Sequence, residues 1–479
     1  MPLKTPQEYL ESIQRDVNLY MFGEKVKDFW KHPIIAPSIN TVMKIYELAQ
    51  KEEHKPLMTT ISNLTGETIN RFTHIHQSVE DLINKVRMQR LVGQHTASCF
   101  QRCVGFDTAN ALYSVTYEID QKHGTSYHDR FKNYWKEVQT QDLMVGGAMT
   151  DPKGDRSKRP PQQPDSYLRI VEESDEGIVV RGAKIHQTGF LNSQRAIVMP
   201  TLSMRPGEED YAVSFGVETN KPGITMVYGR QASDTRKLED GKLDIGNFKF
   251  GGQEIFVIFE DVFVPHDHVF LKGEIEFTGE LVNRFAGFHR QSYGGCKVGV
   301  GDVLIGAAAL ISHYQGVDKA SHIRDKIVEM LHLNETLFCC GIACSAMGFQ
   351  RDAGNYEMDM LLANVCKQNV TRFPYEIGRL TEDLAGGLIC TLPSQADLDS
   401  EAIGPILKKY LATGEDVPVE DRYKLLRFIE NLTMGVASVS YRTESLHGAG
   451  SPQAQRIMIA RQGDLEEKMR LVKEILDLQ

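Results

Sequence analysis

No continuous apolar run in these 479 residues approaches the ~20 positions that a membrane-spanning helix needs. The longest, around Leu304 to Ser312, stops far short. Positive charge is also scarce. Lys and Arg number 54 against 64 Asp and Glu, giving a net charge of −10. That argues against a general nucleic-acid binder and leaves room only for a local basic pocket. Eight cysteines are too few to staple a chain of this length. In a reducing compartment they are free thiols, metal ligands or redox groups. The opening Met-Pro-Leu-Lys-Thr-Pro-Gln-Glu has no apolar signal stretch, so a cytoplasmic protein with no membrane partner is expected. A Gly-x-Gly-x-x-Gly turn after a strand is missing as well. Gly299-Val-Gly301 through Gly306 has the wrong interval and no strand before it, which disfavours a Rossmann nucleotide fold. There is no internal repeat and no low-complexity segment.

What is present is ordinary globular composition, 41% hydrophobic and 25% charged, and a length that suggests roughly three structural units. Residues 1–140 read as an N-terminal helical domain: Tyr9, Leu10, Ile13, Val17 and Tyr20 recur at helical spacing, as do Val79, Leu82, Ile83 and Val86. Residues 141–275 change to short β-type runs, at Tyr167–Val171, Gly177–Val180, Arg195–Met199, Tyr211–Phe215 and Glu254–Phe259, parted by Gly, Asp, Asn and Pro. That spacing predicts an antiparallel barrel or sandwich. Residues 276–479 return to helical patterns, predicting a C-terminal bundle with helices over Val300–Tyr314, Ile327–Met347, Tyr356–Leu380 and Tyr423–Val439. The expected fold class is α+β, with a β-barrel domain between two helical ones.

Cysteine and histidine spacing offers two candidate ligand sets. Cys99 and Cys103 are four apart in a helix-compatible stretch, which on a helix puts both thiols on one face, ~6 Å apart. His289 and Cys296 are seven apart, ~10 Å along a helix axis. Unless Gly294 and Gly295 bend the helix, His289 must reach, making it a weak ligand. The rival set is Cys339, Cys340 and Cys344, where Cys340 and Cys344 repeat the four-residue spacing in an apolar stretch that suits helix packing. Cys366 and Cys390 read as core. Spacing alone separates neither the two sets nor zinc from iron, since Cys₃His also suits zinc.

Two segments carry a flavin-like pattern. Met149-Thr150-Asp-Pro-Lys153-Gly154-Asp155-Arg156 reads as a turn with a basic run through Lys158 and Arg159. About thirty residues later, Lys184-Ile-His-Gln-Thr188-Gly189 ends a strand in a second turn. The pair resembles the two flavin-contacting segments of the acyl-CoA dehydrogenase fold, Thr-Glu-Pro-x-x-Gly-Ser and Lys-x-x-Ile-Thr-Asn. The departures are Asp151 for Glu, a shorter Pro-to-Gly gap, and Gly189 after the Thr. Near the C-terminus, Glu444 and His447 precede Gly448. They share a helix face suited to acid–base chemistry, or form a plain helix end.

Taken together, His95-Thr-Ala-Ser-Cys-Phe-Gln-Arg-Cys103, Phe288-His-Arg-Gln-Ser-Tyr-Gly-Gly-Cys-Lys297 and Glu444-Ser-Leu-His-Gly-Ala-Gly-Ser-Pro resemble the 4-hydroxybutyryl-CoA dehydratase family, also described as vinylacetyl-CoA isomerases. Broader relatives are the flavin-dependent 4-hydroxyphenylacetate hydroxylases, which are not expected to carry the Cys₃His set. The resemblance implies an acyl-CoA dehydrogenase-like fold and dehydration of an acyl-CoA substrate in anaerobic 4-aminobutyrate or succinate fermentation. It also implies FAD, a homotetramer, and a 4Fe–4S cluster on Cys99, Cys103, His289 and Cys296, with the Cys339–Cys344 set left as packing. His289 is then also the base for the α-proton. Tyr293 and Glu444 are matched to the substrate hydroxyl, Glu254 to acid–base or orienting work, and Lys297 to flavin or substrate. Met149, Thr150, Lys153, Gly154, Asp155, Arg156, Thr188 and Gly189 are matched to FAD. Arg87 and Arg90 are candidates for CoA phosphates, or an exposed basic helix face.

Overall fold

A computed structural model describes residues 3–239, 241–413 and 416–479. Met1 and Pro2, which open the N-terminal stretch read above, lie outside the described residues.

The β region is two open sheets, and the expected antiparallel barrel is not there. A six-stranded sheet runs in the order Glu24–Lys25, Asn18–Met21, Ile224–Tyr228, Glu254–Pro265, Gly177–Thr188, Arg169–Glu173. A four-stranded sheet runs Val269–Lys272, Val213–Glu218, Arg195–Val198, Val145–Ala148. Each ends on edge strands, and both are mixed: Asn18–Met21 lies parallel to Ile224–Tyr228, and Val145–Ala148 parallel to Arg195–Val198. Short runs parted by turn residues report strands; they carry no information about whether the outer strands meet, which closure requires. Two of the strands, at residues 18–25, also come from the stretch that periodicity assigns to helix. The sheets face each other through an apolar layer that includes Val180, Val257 and Phe259 from one and Ala196, Val198 and Phe215 from the other. The strand Glu254–Pro265 alternates buried and open positions along most of its length, as a half-buried strand should. Its register against Gly177–Thr188 sets Glu254 opposite Thr188, which fixes one corner of the site described below.

The helical layer is organised by one element, the continuous 40-residue helix Ile275–Tyr314, about 60 Å long. It absorbs the shorter helix predicted over Val300–Tyr314. Gly294 and Gly295 do not break it; they let neighbours in. A Cβ on Gly295 would sit 2.4 Å from the Val86 carbonyl oxygen, and one on Gly299 would sit 2.2 Å from that of Arg90. The helix Val79–Thr96 thus lies backbone to backbone on this stripe, and on the adjoining face Gly294 meets Gly341 of the helix Ser321–Ala346. Gly299→Ala is expected to cost about 1–3 kcal/mol by overpacking, read as a lowered Tm. The stretch predicted as one helix over Tyr356–Leu380 is divided into Met360–Val370 and Phe373–Ala385, with Pro374 at the start of the second.

By length and composition, Ile275–Tyr314 and Ser321–Ala346 are long and apolar enough to cross a membrane, though the most apolar stretch of the first is 67% buried inside the protein. Scattered glycines and small residues raise the average hydropathy where no unbroken apolar run exists.

Candidate active site

The helical layer and the sheets border a partly open cavity of about 810 Å³, within the range of small-molecule sites. Cys99, Cys103, His289 and Cys296 all line it, as do Glu254, Tyr293, Lys297 and Glu444. None of Cys339, Cys340 and Cys344 does: Cys339 is exposed, Cys340 half-buried beside Asn369, and Cys344 buried with its thiol donating to the Gly341 carbonyl. Cys366 is core, but Cys390 is exposed, contrary to expectation.

Cys99 and Cys103 do not share a helix. The helix Val79–Thr96 ends on Ala97 in the left-handed conformation (φ 49°), and the next begins at Cys103. Cys99 sits in the break, 3.5 Å from where a Gly252 Cβ would be. The break itself is held by Gln101, whose amide donates to the Ser38 carbonyl and accepts from Asn192. Gly189, matched above to FAD, packs against Gln101 and positions this loop without lining the cavity. Burial pushes all three cavity thiols up. At Cys99 the charges of Glu444 and Cys103 add to burial, and at Cys103 those of Asp107 and Cys296. Cys296 is pushed up to about 11, with Lys297 opposing.

His289 is stacked on Phe285 and meets the edge of Tyr293. Its Nδ1 lies 2.7 Å from Asp107 Oδ2. Among the described residues nothing is hydrogen-bonded to Nε2. Three thiols and one free imidazole nitrogen on a single cavity make a donor set suited to a soft metal. Among the described residues, however, no three His, Cys, Asp or Glu side chains converge closely enough to hold one ion. A tetrahedral zinc site, with all donors ~2.0–2.3 Å from one point, is therefore not formed.

A carboxyl pair faces the thiols. Glu444 follows a π-helical turn, Val439–Thr443, an irregularity common at functional sites. Its Oε2 accepts from Lys297 Nζ at 2.7 Å, and Lys297 also donates to the Ser440 carbonyl. Glu254 Oε1 accepts from Thr188 Oγ1 at 2.6 Å. Burial, then the Glu444 charge, drives Glu254 well above the usual carboxylate range. Glu444 Oε1 is buried and has no other donor among the described residues; a protonated Glu254 supplies one. Burial is the largest single influence on Lys297 and lowers it, but Glu444, Cys296 and Cys99 together outweigh that and leave it raised. Tyr293 lies under two ammonium groups, Lys367 at 4.3 Å and Lys297 at 5.1 Å from its ring centre. Its hydroxyl fills the space a side chain on Gly448 would need.

Met149, Thr150, Lys153, Arg156 and Thr188 also line the cavity, as do His186, His447 and Arg461, which adds basic groups to its wall. Buried Lys184 fastens the Met149–Asp151 turn, donating to the Met149 and Met199 carbonyls and pairing with Asp151 at 2.8 Å. Gly154 and Asp155 do not reach the cavity. Asp155 is exposed and accepts from the backbone and hydroxyl of Ser157, closing its own turn. Arg87 and Arg90 lie outside it too, paired with Glu80 and with Asp302 and Glu335 respectively.

Comparison with known proteins gives the family. Residues 5–271 match the 4-hydroxyphenylacetate 3-hydroxylase N-terminal family, and residues 278–477 its C-terminal family. The 4-hydroxybutyryl-CoA dehydratase/vinylacetyl-CoA-Δ-isomerase of Clostridium aminobutyricum is 58% identical over 99% of both chains. The chain belongs to the 4-hydroxybutyryl-CoA dehydratase family. A solved 4-hydroxybutyryl-CoA dehydratase from N. maritimus, described as oxygen tolerant and archaeal, superposes with a TM-score of 0.98 at 52% identity, covering 100% of this chain and 96% of that one. The oxygenase component of 4-hydroxyphenylacetate 3-monooxygenase complexed with FAD gives 0.86 at 23% identity, covering 99% and 98%; it shares the fold.

Sequence reading of this dehydratase-family chain missed several residues at the site. Asp107 lies one helical turn beyond Cys103, a carboxylate on the same face. Lys85 is wholly buried and meets Asp107 at 2.6 Å. Lys367 is the one cation in the helix Met360–Val370; it donates to the Glu444 and Ser445 carbonyls. Burial, together with Lys297 and Arg290 nearby, pushes it well below the usual lysine range. A charged residue in an otherwise core-like helix was the available signal for Lys367; Lys85 stands among Glu80, Asp81, Arg87 and Arg90 and had none.

Proposed function

We propose that this chain dehydrates 4-hydroxybutyryl-CoA to crotonyl-CoA and isomerises vinylacetyl-CoA to the same product. The observation that carries the reading is the meeting of three thiols, His289 and the Glu254–Glu444 pair on one cavity, in a chain 58% identical to a curated dehydratase/isomerase. Met149, Thr150, Lys153, Arg156 and Thr188 would hold FAD, and Cys99, Cys103, Cys296 and His289 a 4Fe–4S cluster. A cluster several ångströms across takes its ligands from separated positions, which the single-ion reading does not allow. FAD supplies one-electron chemistry, and the cluster a Lewis acid. The same reading includes a cytoplasmic homotetramer in anaerobic 4-aminobutyrate or succinate fermentation.

The chain's own groups divide the proton work. The thioester acidifies the α-hydrogen, which Nε2 of His289 takes. The γ-hydroxyl is a poor leaving group and needs a proton; Glu254, held protonated in its buried pair with Glu444, donates it as water departs. Two protons leave carbon, one from the α- and one from the β-position; one restores Glu254 and the other returns to the γ-carbon, so the sum is loss of water. Lys297 holds Glu444 in place, and Tyr293 orients the hydroxyl.

The test is an anaerobic preparation assayed with 4-hydroxybutyryl-CoA and analysed for metal. Crotonyl-CoA should form without an added electron donor, in a brown protein with about four iron and four sulfide per chain. A colourless protein that hydroxylates phenols with reduced flavin and oxygen, and leaves the thioester untouched, would overturn the reading.

A further inference from the structure

Asp107 lies wholly inside the protein, where its carboxylate is shared three ways. Oδ1 meets Lys85 Nζ at 2.6 Å, Oδ2 meets His289 Nδ1 at 2.7 Å, and Ser292 Oγ, with one hydrogen to share, lies 3.2 and 3.1 Å from the two oxygens and 3.1 Å from the Phe288 carbonyl. Ser292 in turn accepts from Gln89 Nε2 at 3.0 Å. Lys85 spends its remaining donors on the Phe288 carbonyl at 2.8 Å and Gln291 Oε1 at 3.1 Å, between the rings of Phe106 and Phe288. Both oxygens of Asp107 and all three donors of Lys85 are thus committed to fixed partners, one turn of helix away from Cys103, while Gln89 Oε1 is left without one among the described residues.

We propose that Asp107, with Lys85 as its counter-charge, is a positioning residue that locks His289 as the Nδ1–H tautomer and offers Nε2 to the cavity. A carboxylate beside an ammonium only accepts, so the nitrogen facing it carries the hydrogen. The opposite nitrogen then keeps its lone pair, aimed where both metal ligation and proton abstraction need it. A carboxylate behind a histidine is a common way to orient a metal ligand and raise its basicity. Here the lysine gives that buried carboxylate a counter-charge 2.6 Å away. The helix that starts at Cys103 carries the carboxylate, so the thiol and the imidazole are set by one rigid element.

The proposal rests on the reading of His289 as cluster ligand and base, so His289→Gln is measured alongside. Asp107→Asn offers the ring an amide that donates as well as accepts, and releases the tautomer. In the holoenzyme its kcat should fall about 10–100-fold with KM changed less than about threefold. An EPR signal of a three-iron cluster should appear, because the fourth iron has lost its oriented ligand. Asp107→Glu should restore part of both. Wild-type turnover and an unchanged spectrum in Asp107→Asn would overturn the proposal. Asp107→Asn also strands a buried lysine, so Lys85→Met/Asp107→Asn removes both charges. That double variant should match wild-type Tm yet keep the spectral and kinetic defects; recovery of turnover in it would reduce the network to a structural ion pair and overturn the proposal. Full activity in His289→Gln would instead refute the underlying assignment of the base.

Discussion

Replacing Cys99 with alanine is expected to lower dehydration at least about 100-fold and to deplete iron, while Cys340→Ala leaves both within about twofold of wild type. The two residues have the same chemistry and sit in the same four-residue spacing, so the contrast isolates location. Cys99 lies on the cavity in the break between two helices, a break held by the side-chain amide of Gln101. Its truncation removes a sulfur without opening an apolar core. Cys103 is a less clean probe, because it is also part of a buried cluster with Phe100 and Phe106; its loss mixes ligand removal with a packing defect. Cys340 is off the cavity, with only a long contact from Asn369 at 3.6 Å. Iron content and crotonyl-CoA formation, measured on the same anaerobic samples, check the contrast. The reverse pattern would mean that the cluster sits on the Cys339–Cys344 helix, and the cavity reading would fall.

The same pair shows what a linear sequence conveys. Spacing brought out both cysteine sets and ranked neither, because four residues on a helix look alike whether the helix faces a cavity or a neighbour. Even the shared face expected for Cys99 and Cys103 was a wrong route to a shared cavity: Ala97 takes a left-handed conformation that no residue preference announces, and the loop then turns both thiols inward. Strands were readable from β-branched runs, and the two turns at Thr150 and Thr188 were readable from Asp-Pro and Gly. Sheet closure was not, since it depends on which edges meet, and the N-terminal strands at residues 18–25 were hidden in a helix-like period. Glycines at 294 and 295 read as hinges, whereas their role is contact with the backbones of other helices. Asp107 and Lys85 escaped notice because a buried ion pair joins residues from different helices. Each charge on its own looks like a solvated side chain.

Glu254→Gln is expected to move activity and stability in opposite directions. Turnover should fall about 10²–10⁴-fold, the range for loss of a general acid, because the amide cannot deliver a proton to the departing hydroxyl. Shape and hydrogen bonding are otherwise kept: the amide oxygen still accepts from Thr188 Oγ1, and the amide nitrogen still donates to the buried Glu444 Oε1. The stability change follows from linkage. Burial, then Glu444, holds the folded-state Glu254 well above its unfolded value, so over the pH range between those two values the folded chain binds a proton that the unfolded chain does not. Wild-type stability from this group is therefore fully present below the unfolded carboxylate range and is lost as pH rises toward the raised value, at up to about 1.4 kcal/mol per pH unit. Glutamine has no proton to lose. The variant should unfold at the same temperature as wild type in acid, and at a progressively higher temperature as pH rises. Thermal melts across that range, with crotonyl-CoA formation measured on the same samples, read both effects. A variant that is inactive and also less stable at every pH would show Glu254 to be an ionised structural partner of Lys297. A variant that keeps its turnover would show that the leaving hydroxyl takes its proton from another group.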